Sequence, residues 1–236
     1  MTPESTSDIG PDLVPARRHE VLRQAWSVGF ATGLYGISFG ALAVAAGLSI
    51  WQTQALSLLM FTGGSQFAFV GIVAAGGLAS APAAIATAAF LGVRNGLYGL
   101  QTSRLLKVVG LRRLLAAQVT IDESTAVGVV QPEERAQRLG FWQTGIAVYL
   151  FWNTATFIGA VVGNALGDPK RYGLDAAAAA AFCALLWPRL RSREAIAVAA
   201  TAMVIATVLS PTLPAGVPVL LASSAALLAL ILPRGR

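Results

Sequence analysis

Apolar residues run along this chain in long unbroken blocks, without the alternation of a half-buried strand. No Asp, Glu, Lys or Arg occurs from Gln24 through Val93, and further uncharged runs cover Leu139–Gly167, Ala176–Pro188 and Ala195–Pro233. A helix rises 1.5 Å per residue and a bilayer's hydrocarbon core is roughly 30 Å thick, so about 20 residues make one pass. The blocks predict apolar segments at about 26–49, 52–76, 82–101, 141–166, 172–188, 195–211 and 216–232. The turn-rich Ser210–Gly216 stretch separates the last two. Membrane strands would instead show segments of about ten residues with alternating polarity. The expected fold is an all-α integral membrane protein of about six to seven transmembrane helices, occupying residues 26–233.

The second segment reads differently from the others. Its middle is Phe61-Thr62-Gly63-Gly64-Ser65-Gln66, and a Gly pair followed by two hydrogen-bonding side chains is poor material for a continuous helix in lipid. Irregular backbone at membrane depth is tolerated where it is buried in protein or lines a cavity. Residues 52–76 are therefore expected to form a broken or re-entrant helix. The plainer alternative is a straight span whose Gly64 and Gly71 pack on a neighbour. The first segment carries Gly29, Gly33, Gly36 and Gly40, two pairs at the spacing that marks close helix contact. Tyr35 and Ser38 on that segment are candidates to line a pathway.

Composition agrees with the pattern. The chain is 56% hydrophobic and 12% charged, with a mean hydropathy of +0.67, against roughly 25% charge in a soluble domain. Residues 1–25 are polar, with three prolines and charges of both signs, and are expected to be a mobile cytoplasmic tail. They lack the pattern of a cleaved secretory signal, so the first span is expected to stay in the protein. Lys and Arg gather at Arg17, Arg18 and Arg23, at Arg104, Lys107, Arg112 and Arg113, at Arg135 and Arg138, at Arg189, Arg191 and Arg193, and at Arg234 and Arg236. The positive-inside rule puts these clusters, and both termini, on the cytoplasmic side of the inner membrane. Residues 24–103 must then cross an even number of times, although three apolar segments lie there. Either one of them fails to cross, and the broken segment is the best candidate, or the Arg104 cluster is outside and a further segment crosses after it. Lys170 and Arg171 fall outside, beside Asp168, and Asp175 is placed to cap a helix start. The net charge of +6 does not argue for nucleic acid, because basic residues in a membrane chain first report orientation.

Candidate chemistry is sparse. Arg94-Asn95 lies in Phe90-Leu91-Gly92-Val93-Arg94-Asn95-Gly96-Leu97-Tyr98, and an arginine at a helix centre in the bilayer costs about 3 kcal/mol on insertion scales. It is expected to face a cavity or a partner; snorkelling to the headgroups is the alternative. Asp122-Glu123 lies in a moderately apolar stretch, Val119–Val127, able to dip into the membrane. There it can pair with Arg94 or take up a proton; equally, it can be a solvated acid favoured at a helix start. Cys183, the single cysteine, reads as a core-packing residue, and His19, the single histidine, as a solvated neighbour of Arg17 and Arg18. These counts leave no Cys/His metal site. No phosphate-binding loop, nucleophile elbow or HExxH motif occurs, so neither a cofactor nor an enzymatic activity is expected. Transport along an ion gradient or the substrate's own gradient remains.

Gly36-Ile37-Ser38-Phe39-Gly40-Ala41-Leu42-Ala43, Gly63-Gly64-Ser65-Gln66, Arg94-Asn95-Gly96-Leu97-Tyr98, Thr120-Ile121-Asp122-Glu123, and Asp168-Pro169 with Gly173-Leu174-Asp175-Ala176 together resemble the AzlC family. The blocks stand in the family's order and span about 35–180. The resemblance implies a permease that exports branched-chain or other apolar amino acids, as the large subunit beside a small AzlD-type membrane protein. A substrate near mid-membrane would present its carboxylate to Gly63, Gly64, Ser65, Gln66, Arg94 and Asn95. Asp122 and Glu123 would serve ion pairing or proton coupling. The competing reading is a non-transporting membrane scaffold, in which Arg94 and Asp122 are assembly contacts.

Overall fold

Pro15 opens the first helix, at the position where its missing N–H costs nothing. The computed structural model describes residues 13–166 and 190–227, with 183, 186 and 187 besides. Most of the span expected at 172–188, with Asp168, Lys170, Arg171 and Asp175, lies outside the described residues. Among those described, every regular element is helical.

Helix α1 (Pro15–Gly33) and helix α2 (Tyr35–Ala45) are separated only by Leu34. Together they make 31 residues with a mean hydropathy of 1.6, long and apolar enough to cross a membrane. The helix thus starts well inside the stretch expected to be a mobile tail. Its polar first turns are fixed by contacts: Arg17 donates to Glu20 and to Gln131 at 2.7 Å each and to Glu133 at 3.4 Å. His19 is exposed, as expected.

The long helix α8 (Glu134–Ala165), 32 residues with a mean hydropathy of 1.6, is the second element able to span. It runs parallel to α1 and α2. Gly29 faces Ala147, Gly33 faces Phe151, Gly36 and Gly40 face the Trp152 and Thr156 carbonyls, and Gly159 and Gly163 face Ile37 and Ala41. A Cβ at Gly36 or Gly40 would run into α8 backbone. The small-residue spacing read from the first segment is therefore a backbone-to-backbone seam.

The chain then reverses. Gly47, at φ +96°, ends α2 in a conformation that suits glycine. A Ser49/Gln52 capping box starts helix α3 (Ile50–Leu59). This helix descends along α8: Trp51 meets Phe157, Ser57 meets Thr156, and Tyr149 donates to the Leu58 carbonyl at its end. Three residues, Met60 to Thr62, break the helix, and helix α4 (Gly63–Gly76) turns back. Its start lies by Trp152, and Ile72 and Val73 near its end pack with Ala46 and Leu48. The segment enters and leaves at one end of the bundle, as the re-entrant reading expected. The second half-helix restarts at Gly63.

Gly77, at φ +63°, and the Ser80 hydroxyl, bonded to the Ile72 and Gly77 carbonyls, turn the chain into helix α5 (Ala81–Leu106). It runs unbroken beside α4 with Arg94 near its centre. A second hairpin follows from the opposite end, made of helix α6 (Leu111–Gln118) and helix α7 (Asp122–Val129). Gly128 lies by Phe141 and Gly145 by Val119, so α7 runs antiparallel to α8. Its tip meets the first hairpin's tip directly: Gln118 Nε2 donates to the Leu58 carbonyl at 2.8 Å.

Arg138 Nε donates to the Leu105 carbonyl at 3.0 Å, and Arg17 reaches Glu133. The starts of α1 and α8 and the end of α5 thus share one end of the bundle, carrying the Arg17, Arg104 and Arg138 clusters. Helix α9 (Arg193–Leu209), started by Ser192, and helix α10 (Val217–Ala222), continued by a short 3-10 turn to Leu227, complete the described chain. Cys183 is exposed rather than packed in the core; in a membrane chain lipid accepts such a residue as readily as protein does.

Candidate functional site

The two hairpin tips close on a cavity of about 400 Å³ beside the middle of α8, within the usual range for a small-molecule site. Phe61, Phe67, Leu91, Ile121, Val148 and Trp152 form its apolar wall. All but Leu91 belong to the largest buried cluster among the described residues, in which Phe39, Phe67 and Trp152 hold one another through ring contacts with centroids 5.8–6.2 Å apart.

One side of the cavity is polar. Arg94 Nη1 lies 3.0 Å from Asp122 Oδ2, and both side chains are 29% exposed, so the pair opens onto the cavity. Arg94 Nε is buried without a hydrogen-bond partner among the described residues. The guanidinium lies against the first turn of α4, where a Cβ on Gly64 would come within 2.9 Å of Nη2. Helix α4 has neither a side-chain cap nor an acidic residue in that turn, so its leading N–H groups keep their donor capacity. Asp122 and Glu123 open α7, and there the acids complement the helix dipole. Two helix starts, one arginine and two carboxylates therefore meet at one polar wall, with Thr32, Tyr35 and Thr62 beside them.

Gly63, Gly64, Arg94, Asp122 and Glu123 all border this cavity, and so does Tyr35. Ser65, Gln66, Asn95 and Ser38 are not among its lining residues, which corrects the expectation that the whole Gly63–Gln66 run faces substrate. The reason is helical geometry. Once α4 restarts at Gly63, successive residues turn about 100° apart, and Ser65 and Gln66 rotate into the protein, where they are 1% and 0% exposed. Gln66 reaches back across the break, its Nε2 3.4 Å from the carbonyls of Leu56 and Ser57. Asn95 does not line the cavity, and its Oδ1 is buried without a partner among the described residues.

The aromatic wall was not singled out from the sequence. Trp152 held the available signal, because it stands mid-span, whereas membrane tryptophans gather at the interfaces.

Helix starts facing a lone arginine suit a carboxylate; the opposing acids suit an ammonium; the aromatic wall suits a branched or aromatic side chain. In comparisons with known proteins, the family described as AzlC protein matches residues 27–166. No curated protein and no solved structure matches.

Proposed function

The chain belongs to the AzlC family, a membrane-transport-related group, and from that premise we propose that it is a permease exporting branched-chain or other apolar amino acids. In this reading it is the large subunit of a two-component secondary transporter, paired with a small AzlD-type membrane protein in the inner membrane. The observation that carries the reading is the meeting, in one cavity, of Arg94, the uncapped start of α4 and an apolar wall. The substrate carboxylate binds Arg94 and the N–H groups of Gly63 and Gly64. Its ammonium faces Asp122 and Glu123, and its side chain lies on Phe67 and Trp152. Arg94 then alternates between Asp122 and the substrate, and Asp122 and Glu123 serve ion pairing or proton coupling.

Counterflow of labelled leucine in liposomes, with and without the small subunit, tests this assignment. Accumulation above that of empty liposomes is expected. Its absence in both arms, with folded protein present, would leave the scaffold reading.

The bundle end that gathers Arg17, Arg104 and Arg138 is placed in the cytoplasm. Residues 24–103 then make two crossings, α1–α2 out and α5 back, with α3–α4 returning to the outer face. A cysteine at position 110, in a Cys183-free background, is expected to react only with reagents reaching the cytoplasmic side. Labelling from the periplasm would overturn this orientation.

A further inference from the structure

Behind the cavity, at the break between α3 and α4, lies a second polar cluster built wholly of uncharged groups. Ser57 Oγ and Thr156 Oγ1 are 3.3 Å apart, and both residues are fully buried. The carbonyls of Leu56 and Ser57, at the C-terminal end of α3, sit beside them. Gln66 lies over these carbonyls with Nε2 3.4 Å from each, longer than an ordinary N–H···O bond. Its Oε1 is fully buried and has no hydrogen-bond partner among the described residues. The same holds for Oγ1 of Thr53, one turn before Ser57 on the same helix face. A buried acceptor normally finds a donor; here Gln66 Oε1 goes without one near the end of α3, which carries partial negative charge, and Thr53 Oγ1 goes without one further back along the helix.

We propose that this cluster binds a monovalent cation, held by Gln66 Oε1, the hydroxyls of Thr53, Ser57 and Thr156, and the carbonyls ending α3. Several features fix the ligand class. The interrupted helix ends of membrane proteins coordinate small cations through their carbonyls; here the Leu56 carbonyl also accepts from the Met60 N–H at 2.9 Å, so the Ser57 carbonyl is the better placed of the two. All the donors are neutral oxygens, which suits a single positive charge; divalent sites recruit carboxylates. The two ends of the Gln66 amide are nearly identical in shape. With the amide turned by half a rotation, Oε1 would stand where Nε2 now makes two long contacts, facing the same carbonyls. The cation would sit at the C-terminal half of the break, while the carboxylate site uses the N-terminal half. A positive ion at the end of α3 and an anion at the start of α4 would each neutralise one half-helix dipole. None of Thr53, Ser57, Gln66 and Thr156 lines the substrate cavity, so the site does not rest on the transport reading.

The test uses the purified full chain without amino acid. Thermal unfolding is followed while NaCl or KCl replaces choline chloride at constant ionic strength. A Tm that rises and saturates with the small cation is expected, as for any ligand bound only by the folded state. Gln66→Leu and Thr53→Val should each abolish the rise. Gln66→Glu keeps the oxygens and adds a charge, so it should move half-saturation to lower salt, and it decides the matter if Gln66→Leu does not fold. A Tm indifferent to which cation is present would overturn the proposal. So would a cation dependence unchanged in Gln66→Glu and Thr53→Val, because the ion would then bind elsewhere.

Discussion

Replacing Arg94 by alanine is expected to abolish amino-acid export while leaving the protein folded and in the membrane. Arg94 and Asp122 are both partly exposed to the cavity, and ion pairs in such surroundings contribute about 1 kcal/mol or less to stability. The fold rests instead on the glycine seam and the aromatic cluster. For a carboxylate in the cavity the balance differs. Arg94 is the single Lys or Arg among the described lining residues, and a hydrogen bond to a charged group contributes about 1.5–3 kcal/mol, roughly ten- to a hundredfold in binding. Arg94→Lys should restore only part of the rate, because an ammonium lacks the guanidinium's planar fork. Initial export rates in liposomes, normalised to folded protein, measure this, and a wild-type rate for Arg94→Ala would refute the assignment.

Gly64→Val is expected to cost transport far more than stability, and Gly40→Val the reverse. At Gly64 the nearest obstacle to a new Cβ is Nη2 of Arg94, 2.9 Å away. That is the end of a flexible side chain, so the arginine swings aside, the backbone stays, and the carboxylate position is lost. At Gly40 the obstacle is the α8 backbone at Thr156 and Ala160. Only separation of the helices relieves it, at a cost of about 1–3 kcal/mol or more. The two variants therefore bracket each other in one assay of rate per folded molecule. Gly64→Ala should fall between Gly64→Val and wild type. If Gly64→Val lowered folded protein and left the normalised rate unchanged, glycine 64 would be a packing residue and nothing more.

Those features of the fold that arise from local composition were readable in the chain. The apolar blocks, the break at Gly63-Gly64, the glycine spacing of the first segment and the common bundle end of the Arg17, Arg104 and Arg138 clusters were legible from local composition. Arg94 was conspicuous because a charge among apolar residues needs a reason. The second hairpin was harder to read: α6 and α7 have eight residues each, too short for a hydropathy block. What seats them is contact with distant residues, Phe141 on α8 and Leu58 on α3. Gln66 was misread for a related reason, since its direction depends on where the second half-helix restarts, and one residue of shift turns a side chain by about 100°. The start of α1 was misplaced because residues 15–25 look like a tail by polarity. Their helical state follows from Arg17 meeting Gln131 and Glu133, which no local pattern announces.

The seam between α1–α2 and α8 also sets an order of assembly. It joins residues that are far apart in the chain, as Arg17 and Glu133 are, 116 positions from one another. A growing chain has therefore synthesised both hairpins and α5 before the helix that seats them exists. Contacts of such long separation form late, and until α8 arrives the glycine face of α1 and α2 lacks its partner and the Gly-rich break lacks Trp152. A nascent chain stopped before residue 134 holds every residue of the polar wall but lacks the α8 face that the wall packs on. Quality control in the membrane should read it as unfolded, and pulse-labelled fragments ending there should disappear faster than those that include Ala165.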